Sequence, residues 1–169
     1  MPNEEFDDRL LRPEVSFQWL AWQEEGREIF ESSHLTLPDD KYWLWGGGGT
    51  DAVYPLNPDP DLVVTNAQGQ HLLTQGEFMF NYFTNMNATT PYYGIHLDMV
   101  GGRSQALNYR EEHFACTDHP ATFDLNGNVG MHLKIGFYEF FKHLRDYSLL
   151  NNFGTEAAGM KMLSFKYQQ

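Results

Sequence analysis

Residues 121–152, ATFDLNGNVGMHLKIGFYEFFKHLRDYSLLNN, contain in one run the two periodicities from which the fold class is read. From Val129 to Phe137 apolar and polar residues alternate, with Met131, Leu133 and Ile135 opposite Gly130, His132 and Lys134, the period of a half-buried strand. Residues 121–125 read as the preceding strand, and Asn126-Gly127 is a hairpin turn signal because both residues tolerate positive φ. From Gly136 to Asn152 the period becomes helical, through Phe137, Phe140, Phe141, Leu144 and Leu150, with Lys142, His143, Arg145 and Asp146 on the wet face and Phe153-Gly154 as the helix end. A hairpin that runs into a helix predicts an α+β protein. The expected form is a β-rich antiparallel sheet or sandwich, jelly-roll-like in one arrangement, with an N-terminal helix and a helix near the C-terminus.

Working upstream, YYGIHLDMV at residues 92–100 is the clearest strand: Tyr93, Ile95, Leu97 and Met99 face one way, Tyr92, Gly94, His96, Asp98 and Val100 the other. Gly101-Gly102 breaks it, and residues 106–117 read as a further strand. Thr74-Gln75-Gly76-Glu77 fits a capping box that would start a helix over residues 77–86, although the alternation of Phe78, Phe80 and Tyr82 fits a strand equally well. Residues 62–65 and 70–74 form an expected hairpin around Asn66-Ala67-Gln68-Gly69. Asn57-Pro58-Asp59-Pro60-Asp61 opens like a calcium loop, but its sixth and twelfth positions hold Leu62 and Gln68, so it reads as a rigid Pro-rich turn. Residues 41–45 are a short aromatic strand candidate leading into Gly46-Gly47-Gly48-Gly49. Thr50-Asp51 follows in place of the Lys-Ser or Lys-Thr of a phosphate loop, and the stretch reads as a hinge. Pro13 and Glu14 suit the first turn of a helix over residues 15–30. Downstream, residues 160–167 read as a closing strand with Leu163, Phe165 and Tyr167 on one side.

The whole chain, 1–169, reads as one domain with an extended acidic arm at 1–12 and a Gly/Pro-rich loop at 46–61. The net charge is -12, and it is uneven: through Asp61 there are fourteen acids against four bases, and from Leu62 onward nine against seven. Such a charge repels phosphate backbones, so no nucleic-acid partner is expected. The single cysteine permits no internal disulfide, no apolar run is long enough to span a bilayer, and no signal peptide is evident. The expected chain is soluble, makes no membrane contact and is cytoplasmic when made.

Residues 92–119 hold the densest chemistry. His96 and Asp98 share a strand face, and with His132 they could leave open positions on an Fe(II) ion. This pattern resembles the His-x-Asp…His of the iron/2-oxoglutarate oxygenases. The resemblance covers His96, Asp98, His132 and Lys142. It implies a double-stranded β-helix, metal ligands at the first three positions and a basic anchor for the cosubstrate carboxylate at Lys142. A second set, His113, Cys116 and His119, offers three zinc-competent ligands at short spacing, with Asp118 or His132 to complete a site. Each set also reads as ordinary packing. His-x-Asp is a short pattern on a polar strand face, no second ligand pair accompanies the His-x-x-Cys-x-x-His run, and a lone cysteine commonly behaves as a small hydrophobe.

Thirteen Phe, nine Tyr and four Trp exceed what a small core needs, and Trp19, Trp22, Trp43, Trp45, Tyr92 and Tyr93 are candidates for an interface. The leading expectation is a non-enzymatic structural or interaction protein without cofactor, acting as a homo-oligomer or in a larger assembly with protein partners. Its composition resembles that of a virion or phage-particle component. The alternatives are a metal-dependent enzyme holding Fe or Zn at the residues above, and an acidic inhibitor of a basic protein site.

Overall fold

The computed structural model describes residues 24–43, 54–89, 94–97, 106–151 and 154–157. The expected arm at 1–12, the glycines 46–49 and the closing strand at 160–167 lie outside these residues. The chain is α+β, as expected. Among the described residues three helices, α1 (Glu24–Ser33), α2 (Gln75–Thr89) and α3 (Leu133–Asn151), combine with short strands of two to four residues. Strands β1 (Val64–Thr65) and β2 (His71–Leu72) form an antiparallel hairpin. Strand β3 (Gly94–Leu97) pairs in parallel with β7 (Gly154–Ala157). Strands β4 (Leu107–Asn108), β5 (Thr122–Phe123) and β6 (Val129–His132) form an antiparallel sheet in the order β4-β6-β5. The sheets are small, and helices supply most of the packing: no sandwich or jelly roll forms among the described residues. None of the described helices is long and apolar enough to cross a membrane.

Several boundaries differ from expectation for identifiable reasons. Helix α3 begins at Leu133, directly after β6, because Leu133, Phe137, Phe140 and Leu144 form one buried stripe at helical spacing. Leu133 satisfies both periods, and the helical one wins. Helix α2 forms rather than a strand. Thr74 Oγ1 accepts the Glu77 amide at 3.2 Å, and Met79 and Phe83 point into the core one turn apart. Glu77 departs from the capping box: its carboxylate accepts from His71 Nε2 at 2.8 Å. The strand expected over 106–117 stops at Asn108, whose side-chain oxygen accepts the Arg110 and Thr36 amides, and a 3-10 turn follows at Glu111–Phe114. Tyr42, expected in a strand, makes only an isolated bridge with Thr36.

The core lies between α2 and α3. Leu35, Met79, Phe83, Ala106, Leu133, Phe137, Phe140 and Leu144 are buried together, and a smaller cluster of Ile29, Phe30 and Leu56 lies under α1. Between them runs the Pro-rich turn, which proves to be interior: Asn57, Pro58 and Asp59 are all buried. Two glycines admit it. A Cβ on Gly76 in α2 would strike the backbone of Pro58 and Asp59. One on Gly136 in α3 would strike the Asn57 side chain and approach Pro58 Cδ to 3.0 Å.

This close approach reverses the usual effect of a helical Gly→Ala change, which gains up to about 1 kcal/mol in an open helix. Gly136→Ala and Gly76→Ala should instead each lose about 1–3 kcal/mol through overpacking. The larger loss should fall at Gly76, where backbone atoms obstruct; urea denaturation measures both.

Candidate functional site

The buried turn belongs to a polar network centred on His113. Helix α1 ends inside the protein, so its last carbonyls need donors other than water. Ser33 O accepts the Asn57 amide at 2.7 Å, and Ser32 O accepts His113 Nε2–H at 2.8 Å. Arg110 Nη1 donates to Glu31 O at 2.8 Å and to Ser32 O at 3.2 Å, placing a cation at the negative end of the helix dipole. Ser32 Oγ ties α1 to Leu73 O at 2.7 Å, and Ser33 Oγ accepts the Gln75 amide at 2.8 Å at the start of α2.

Donation from Nε2 fixes the His113 tautomer. Its bare Nδ1 accepts from Asn108 Nδ2 at 2.9 Å, with Asn57 Nδ2 at 3.5 Å. Burial, then the nearby Arg110 charge, lowers its pKa from 6.5 to about 3, so the ring is neutral. His34 is lowered to about 4 by the same two causes. Asp59 accepts the Asp61 amide at 2.9 Å and the Cys116 thiol at 3.2 Å; burial raises its pKa from 3.8 to about 6. Burial, then the Asp59 charge, pushes the Cys116 thiol far above its ordinary range, the opposite of an activated nucleophile. Asn57, Asp59, Asn108, His113, Cys116 and His132 contribute to the lining of a cavity of about 10 Å³, room for about one water molecule.

The structure thus brings His113, Cys116 and His132 to one cavity, but no three His, Cys, Asp or Glu among the described residues are arranged to hold a metal ion. His119 is not among the residues lining that cavity; its Nε2 lies 3.7 Å from Glu139 Oε1 and its ring is edge-on to Tyr138. Lys142 donates to Glu139 Oε2 at 3.0 Å. His96 lies on β3, opposite Glu156 of β7, whereas His132 ends β6 in a different sheet. Asp98 lies outside the described residues, as do Trp19, Trp22, Trp45, Tyr92 and Tyr93. Trp43, a candidate interface residue, is half-buried against the α2–α3 core.

Sequence reasoning missed Ser32, Ser33, Asn57, Asp59 and Asn108 as interior groups. It also missed the outward face of the β5–β6 hairpin. There Phe123 and Val129, register partners, are 69% and 46% exposed, and Leu125 at the tip is fully exposed. The tip is rigidly held. Asp124 Oδ1 accepts the Asn126 and Asn128 amides at 2.8 and 2.9 Å, and Oδ2 accepts Asn128 Nδ2 at 2.8 Å and Tyr109 Oη–H at 3.1 Å. Gly127 supplies the left-handed φ of +86°. The alternation of Phe123 and Leu125 with Thr122 and Asp124 carried this signal, but an apolar strand face ordinarily reads as the buried one.

Comparison with family models, with curated proteins and with solved structures finds no match to this chain.

The titrations have opposite signs. Unfolded imidazoles take up protons near pH 6.5, while folded His113 and His34 resist to about 3 and 4, so stability falls as the pH drops below about 6.5. Folded Asp59 takes up its proton at about 6 and the unfolded carboxyl at 3.8, so its contribution falls as the pH rises through that window. Its buried charge costs on the order of 3 kcal/mol above it. Asp59→Asn, which keeps an acceptor for the Asp61 amide, should therefore stabilise the protein at pH 8 by about 1–3 kcal/mol. It should also steepen the loss between pH 6 and 4; urea titrations at the three pH values measure both effects.

Proposed function

We propose that this is a non-enzymatic structural or interaction protein that works by assembly, with the β5–β6 hairpin as its contact element. The observation that carries the reading is the apolar triplet Phe123, Leu125 and Val129, displayed on a tip that four side-chain hydrogen bonds of Asp124 hold rigid. A contact element that is already ordered loses little entropy on binding. Apolar residues held in water by a fixed backbone mark an interaction surface more clearly than scattered ones. Leu149 and Leu150, at the end of α3, are 78% and 86% exposed as well.

The interior supports the same reading. His113 has both ring nitrogens in hydrogen bonds, and Cys116 is held as a thiol around a cavity for about one water. Those groups cross-brace α1, the 57–59 turn and the 3-10 turn. A subunit of a larger particle, such as a virion or phage particle, is the form of assembly that the aromatic-rich, acidic composition favours.

Light scattering over a concentration series tests this reading. The wild type should form oligomers, or enter a complex with its partner, and the double variant Phe123→Ser/Leu125→Asp should be a folded monomer. A wild type that stays monomeric at high concentration and captures no partner, or a variant that assembles unchanged, would remove the hairpin from the mechanism.

A further inference from the structure

The sheet β4-β6-β5 contains a vacated strand position. In the antiparallel pairing of β4 with β6, Asn108 faces Met131, and one step further in Leu133 N–H donates to Ala106 O at 2.9 Å. Inter-strand bonds recur at every second residue, so the next pair in that series is Arg110 with Val129. That pair does not form. Arg110 N–H donates to Asn108 Oδ1 at 3.2 Å, and Arg110 O accepts the His113 amide at 3.0 Å as the chain turns into the 3-10 segment. On its other side, β6 follows the complementary alternation: Asp124 N–H donates to Asn128 O at 3.0 Å, which turns the Val129 N–H and C=O away from β5. The backbone of Val129 therefore faces the place that β4 leaves.

That place is a groove of about 600 Å³, lined by Thr36, Pro38, Asp40, Tyr109, Arg110, Glu111, Glu112, Asn128 and Val129. Its chemistry is asymmetric. Asp40, Glu111 and Glu112 are exposed acids, and Arg110, the one cation among the described lining residues, is committed to Glu112 and to the end of α1. Thr36, 7% exposed, borders the groove, and its buried hydroxyl has no hydrogen-bond partner among the described residues. Pro38, Tyr109 and Val129 supply apolar wall.

We propose that this groove takes an extended basic segment of a partner protein, which pairs its backbone with Val129 as an added strand. Alternate side chains of the segment rest on Val129 and Tyr109, and its Lys or Arg side chains reach Asp40 and Glu111. Main-chain bonds supply affinity in such strand addition, and the alternating side chains supply selectivity. The excess of acid over base across the chain, -12, opposes a second copy of this protein as the occupant and favours a basic one. This inference deepens the assembly reading by naming a partner class beside the hairpin.

The test uses the full chain and a fluorescein-labelled peptide of three Lys-Val repeats, followed by fluorescence anisotropy and by amide hydrogen exchange at Val129. Saturable binding is expected, with slowed exchange at Val129. Binding should weaken about tenfold when alternate peptide nitrogens are methylated, which removes the main-chain donors, and about tenfold in Asp40→Lys/Glu111→Lys. Absence of binding, equal binding of the methylated peptide, or equal binding of a Glu-Val peptide overturns the proposal. Light scattering of the same samples separates it from the broader reading: assembly through Leu125 without peptide binding overturns the groove alone, and peptide binding by a persistent monomer supports the groove alone.

Discussion

The last turn of α1 is buried, and a buried helix end cannot leave its carbonyls to water. Each unmet carbonyl would cost on the order of 1–3 kcal/mol, so the fold has to deliver a donor to every one. The donors come from four places: His34 N–H to Phe30 O, Arg110 to Glu31 O and Ser32 O, His113 to Ser32 O, and Asn57 N–H to Ser33 O. Segments distant in sequence are thereby required to meet at one point. The 54–60 loop must pass beneath α1, the chain after β4 must turn back, and α2 must start against Ser33.

The rest follows from that meeting. Asn57-Pro58-Asp59 reaches α1 only by passing between α2 and α3, which is where Gly76 and Gly136 remove side chains. The turn after β4 that presents Arg110 and His113 to α1 also ends the β4–β6 ladder, so the interior cap and the surface groove are two results of one change of direction. The polar interior carries a cost, visible in the raised Asp59 carboxyl. In exchange it prescribes a single register for the segments it joins, since a shifted loop would strand several buried polar groups together.

How far this was legible in the sequence depended on the range of the signal. The hairpins at 62–74 and 121–132 are local, and they read correctly. Thr74 caps α2 as expected, but helix and strand over 77–86 fitted equally well, and Glu77 turns to His71 instead of completing the box. The helical stripe of α3 read correctly through Phe137, Phe140 and Leu144, but not at its start, where Leu133 fits both periods, nor at Leu150, which is exposed. Asn57-Pro58-Asp59 looked like surface because Pro, Asn and Asp usually are. Its burial rests on Ser33, Gly76, Cys116 and Gly136, the thiol being 57 residues from Asp59. The histidines and the cysteine were singled out for metal chemistry by residue type, yet residue type does not say where the lone pairs go. In His113 one nitrogen is spent on a carbonyl and the other on an amide, which only the tertiary contacts decide.

The two hairpin turns share one design. Asn66 and Asp124 each open a five-residue loop and hold it with a side-chain oxygen that accepts two later amides. Gly69 and Gly127 stand at the same place with φ of +76° and +86°. Around this common frame the outward residues differ: Thr65, Ala67 and His71 in the first loop, Phe123, Leu125 and Val129 in the second. The molecule therefore contains its own control. Since the same backbone closes equally well around alanine and polar side chains, turn formation does not account for the apolar triplet, and those three side chains are free to be set by whatever meets them from outside.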